Sequence, residues 1–258
     1  MSQKSRELDK KLAAIVEPFG FKKVPNTRVF LRKCNTVFQG VNWYYQPNLS
    51  MQHLEWRIES AYQDPMYMFH KSLEDKYPFY YGFIDCVDNE YREEEYIPWR
   101  MHNFYGSNRE EEEVQLVNFQ KEVLPRLERW TNEEDVYLAK QGYYRRRFHE
   151  QDSCCDNNVF LQDNSFNLAL YLGKYEDAEK YIDVELGRTK QRMVWGIYEN
   201  GEIINPNQKE YYGLLLRKKS LLNNAKEREE YLMQCKEQNL EEFKKLLSGI
   251  RRKNKDGV

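Results

Sequence analysis

Between Gln52 and Tyr62 the side chains alternate, with Leu54, Trp56, Ile58 and Tyr62 on one side and His53, Glu55, Arg57 and Glu59 on the other. A period of two belongs to a strand with one face on a core and the other in water. Upstream, Val29 and Leu31 line one face of a short run, and Val37, Val41, Trp43 and Tyr45 line one face of another. The turn-like Lys33-Cys34-Asn35 between them predicts a hairpin. Asp64-Pro65 breaks the alternating strand, and after Pro78 the aromatic run Phe79, Tyr80, Tyr81, Phe83 and Ile84 predicts a further, more buried strand. Residues 88–105 read as irregular.

On either side of this stretch the period becomes helical. Leu8, Leu12, Ile15 and Phe19 predict a helix over Ser5–Pro18, closed by Gly20 as a left-handed cap. From Glu110 a stripe of Val117, Phe119, Val123, Leu124, Leu127 and Trp130 predicts another helix, shortened or kinked by Pro125. Thr131 with Glu134 reads as a capping box that starts a helix at Asn132. Asn164 should cap a helix ending at Gly173, and a second follows from Glu176 with Ala178, Tyr181, Ile182 and Leu186 inward. Two more are expected over 208–222 and 227–247, the second carrying a cap at Asn239. The expected fold class is α+β: an N-terminal helix plus a twisted antiparallel sheet, followed by an all-helical C-terminal half. The expected domains are a sheet domain over 1–108 and a helical region over 109–258, either separate or packed on the sheet as one unit.

Charge and cysteine content narrow the functional classes. The 40 Lys and Arg against 42 Asp and Glu give a net charge of −2, without the bulk positive field of a dedicated nucleic-acid binder. The basic clusters Arg145–Arg147, Arg217–Lys219 and Arg251–Lys255 fit helix C-terminal turns better than phosphate contacts. The charged Met1–Lys11 stretch lacks the apolar core of an export signal, and the longest apolar runs fall short of a membrane span. Five cysteines, an odd number spread along the chain, fit reduced thiols, so the expected compartment is the cytosol.

Candidate chemistry is sparse. His149, Asp152, Cys154, Cys155 and Asp156 crowd onto one polar connector, but adjacent cysteines do not readily share one tetrahedral ion. No metal and no cofactor is expected. His53, His70, His102 and His149 sit in unrelated contexts, and the 12 glycines form no phosphate-cradling loop. Catalysis would require residues that meet only in three dimensions, with His53, His70 and Asp85 as the candidates. The segment Leu172-Gly173-Lys174-Tyr175-Glu176-Asp177-Ala178 is similar to the turn of a tetratricopeptide hairpin, without a second copy at the expected period.

One resemblance extends this reading. The run Ile15-Val16-Glu17-Pro18-Phe19-Gly20-Phe21-Lys22-Lys23, followed by Phe30-Leu31-Arg32-Lys33 and a strand through Gln39, Val41 and Trp43, resembles the start of a bacterial family labelled domain of unknown function 4304. It covers roughly Leu8–Tyr45. That family opens with a helix ending in Gly-Phe-Lys-Lys and continues into a twisted antiparallel sheet, and some relatives look like immunity proteins of bacterial toxin systems. Together with the absence of a catalytic constellation and the aromatic-rich sheet region, the resemblance leads to the expectation of a non-catalytic protein-binding protein, an immunity or accessory protein with a toxin as the candidate partner; the alternative is an enzyme or nucleotide-handling protein whose site is not visible in sequence. For the partner surface, the ring-rich stretch 76–105 exceeds what one strand can bury, so Tyr91, Tyr96 and Trp99, with Glu94 beside them, are the expected contacts.

Overall fold

The computed structural model describes residues 3–46, 51–64, 84–86, 109–138, 163–194 and 206–248. The protein is α+β, and its contacts divide it into two units: residues 1–61, 65–136 and 237–258 form the first, and residues 62–64 and 137–236 the second. Among the described residues no helix is long and apolar enough to cross a membrane.

The first unit begins with α1 (Gln3–Val16) and a tight 3-10 turn over Glu17–Phe19. Leu8, Leu12 and Val16, four residues apart, are buried, so the inward stripe ends on Val16. Phe19, expected inward, is exposed because the tight turn rotates it away, and Phe21 is buried after it. Gly20 closes the turn at φ 84°, with its N–H donating to the Glu17 carbonyl.

Five antiparallel strands then pair in chain order: β1 (Lys22–Lys23), β2 (Val29–Cys34), β3 (Val37–Gln46), β4 (Met51–Ser60) and β5 (Ile84–Cys86). Cys34 pairs with Val37, so the β2–β3 turn is Asn35-Thr36, and Lys33 and Cys34 remain in the strand. Asn35 takes the left-handed conformation at φ 54°, which asparagine tolerates better than most residues. The strand expected over 79–84 is described only from Ile84, and it continues to Cys86.

The register sorts side chains onto two faces, because directly paired residues share a face. Phe30, Gln39, Val41, Trp43, Leu54, Trp56 and Ile58 lie on one face, all buried. Val29, Leu31 and Phe38 lie on the other and are buried as well, in a second core with Val24, Ala61 and Phe243. The expectation of one wet face is therefore corrected: at this end the sheet is covered on both sides, and even Glu59 is buried.

The first face meets α2 (Arg109–Asn118) and α3 (Leu124–Arg129), joined by a π turn over Phe119–Val123. The wider turn lets the chain continue into Pro125, which has no N–H for an ordinary helical bond. Leu116 and Phe119 point inward; Val117, expected in that stripe, is out of phase and exposed. Trp56 is buried against Trp130, with ring centroids 5.7 Å apart, and the Gln115 side chain accepts the Leu54 N–H at 2.7 Å. Gln39 donates to the carbonyls of Leu127 and Trp130, each at 2.7 Å, and so caps the end of α3. Buried Arg32 donates to Gln39, to the Phe19 carbonyl and to Glu128. A helical segment over 133–138 follows, capped by Asn132 rather than Thr131: the Asn132 side chain accepts the Asp135 N–H at 3.0 Å.

Candidate functional site

The second unit is built from helices, α4 (Asp163–Tyr171), α5 (Tyr175–Val194), α6 (Pro206–Ser220) and the first half of α7 (Ala225–Ser248), with α4 packed on α5 and α5 on α6. Asn164, expected as a cap, lies inside α4. Gly173 ends that helix at φ 71°, and the Lys174 N–H turns back to the Ala169 carbonyl at 2.9 Å. Ala178, Tyr181, Ile182 and Leu186 of α5 are buried as their spacing predicts. Between α6 and α7, Arg228 donates to the carbonyls of Leu221 and Leu222 and stacks its guanidinium 4.5 Å from the Tyr175 ring.

The polar groups of this unit converge on a segment that is not helical. Residues 62–64, leaving the sheet strand, lie among α4, α6 and α7 and are held by three kinds of contact. The Tyr62 ring stacks on Tyr171 with centroids 3.8 Å apart, and the Lys236 ammonium lies 5.4 Å from the same ring. The Asn167 amide donates to the Tyr62 carbonyl at 3.1 Å. The Asp64 carboxylate accepts from the Lys218 ammonium at 2.6 Å and from the Tyr231 hydroxyl at 3.3 Å. Ring, backbone carbonyl and carboxylate are thus gripped separately.

Asn167 links these contacts. Its amide also donates to the Tyr231 hydroxyl at 3.2 Å and reaches the Cys235 sulfur at 3.7 Å. Burial is the main cause that raises the Tyr231 phenol well above its ordinary range, and the Asp64 charge adds to it. Burial likewise pushes the Cys235 thiol up to about 11, with the same carboxylate contributing. Both groups stay protonated at neutral pH, so the phenol serves as a hydrogen-bond donor and the thiol is no nucleophile.

A second polar cluster sits at the start of α5, where Asp177 occupies the first turn and benefits from the helix dipole. It accepts the Tyr137 hydroxyl, which lies 3.4 Å from the Tyr181 hydroxyl, while Lys174 stands 5.1 Å from the Tyr137 ring. Burial, followed by the bond to Asp177, raises the Tyr137 phenol far above its usual value.

The proposed partner contacts Tyr91, Glu94, Tyr96 and Trp99 lie outside the described residues, as do His70, His102, and His149 with its neighbours Asp152, Cys154, Cys155 and Asp156. His53 and Asp85 are placed by their backbones, opposite Tyr44 and Trp56. Of the basic clusters, Arg217–Lys219 forms the last turn of α6, with Lys218 paired to Asp64 and Lys219 to Asp183. Sequence reasoning missed Asp64, Asn167, Lys218, Tyr231 and Cys235 as one set. The available signals were an amide within the apolar run Phe166–Leu172, and Tyr231 and Cys235 one turn apart on the stripe of the last helix.

Fold and site together define an α+β protein whose helical unit holds a buried turn at residues 62–64. Compared with known proteins, the chain matches no protein-family model, no curated protein and no solved structure.

Proposed function

We propose that this chain is a non-catalytic protein-binding protein of the bacterial cytoplasm, an immunity or accessory protein that occupies a toxin. The observation that supports binding is the commitment of the helical unit's polar groups to a stretch of peptide: Asn167, Lys218 and Tyr231 hold a backbone carbonyl and a carboxylate. The raised Tyr231 and Cys235 act as neutral hydrogen-bonding partners in these contacts. The toxin assignment rests on the resemblance of residues 8–45 to a family with immunity-like relatives.

The test is co-expression with the protein encoded immediately upstream. A stable complex of defined stoichiometry, together with restored growth where the neighbour alone arrests it, is the expected result. Growth arrest that persists without a complex would reject the assignment.

A further inference from the structure

We draw no further inference here: the strongest candidate, the surface patch at the α4–α5 turn where Tyr171 and Tyr175 are 41% and 44% exposed, carries nothing, because Lys174 and Arg228 stand there beside Glu176, Asp177 and Glu227 without a charge of one sign to select a partner, and nothing in the structure shows what covers it.

Discussion

Asn239 shows how one amide can belong to a core. It lies in the middle of α7, fully buried, and donates to the Ala61 carbonyl at 2.8 Å just where β4 has ended. Ala61 lies one residue past the last β3–β4 pair, so the amide takes the place of a ladder bond at its carbonyl. Replacing Asn239 with Leu should destabilise the protein by about 1–3 kcal/mol, read from urea unfolding, because a buried carbonyl is left without this donor. Trp56, buried against Trp130, should cost about 3–5 kcal/mol on truncation to Ala in the same measurement. Cys235 should react slowly with a thiol reagent at pH 8 in the native protein and quickly in denaturant, since burial holds its pKa at about 11.

At the scale of elements, the helix ends carry the specificity. Gly173 and Gly20 both adopt a left-handed backbone, and a Cβ added at either meets no atom within 4 Å. An alanine at Gly173 therefore meets conformational strain alone, and Gly173→Ala should cost about 1–2 kcal/mol in thermal or urea unfolding. The π turn between α2 and α3 places Pro125 at the start of a new helical stretch, so a proline that would break a regular helix is absorbed by a local widening. Asn132, one residue after the expected cap, wins because its side chain reaches the Asp135 N–H while the Asp135 carboxylate accepts the Thr131 N–H at 3.3 Å.

For the whole molecule, the consequential element is α7, which supplies residues 225–236 to the helical unit and 237–248 to the sheet unit. Its second half brings Phe243 onto Phe38, with rings stacked 4.7 Å apart, and surrounds them with Leu240, Leu246 and Leu247. A stop after Lys236 should expose Val29, Leu31 and Phe38, and the truncated protein should bind a hydrophobic dye strongly or precipitate. Alkaline stability follows from the raised acids. Below about pH 9, the ordinary thiol value, folded and unfolded chains both keep the Cys235 proton; towards about 11 the unfolded chain loses it first, so folding stability falls as pH rises. Tyr137 and Tyr231 act in the same direction above about pH 10, and urea midpoints measured from pH 7 to 11 should decline only in the upper part of that range.

Local chemistry made much of this legible in one dimension. The two-residue alternation of Leu54, Trp56 and Ile58, the four-residue spacing of Leu8 and Leu12, and Gly20 and Gly173 after apolar stripes each act over a few bonds, so the α+β class and most helices could be read from the chain. Sidedness could not. Arg32, Glu59 and Asn239 look like solvent or cap residues until β2 is buried on both faces and α7 crosses the end of β4. The grip was hidden for the same reason: Asp64, Asn167, Lys218 and Tyr231 stand far apart in sequence, and Asp64 beside Pro65 reads only as a strand breaker. Hydrogen bonds and ion pairs between distant residues leave no period in a sequence, because what places their partners is the packing of whole elements, which tertiary structure alone decides.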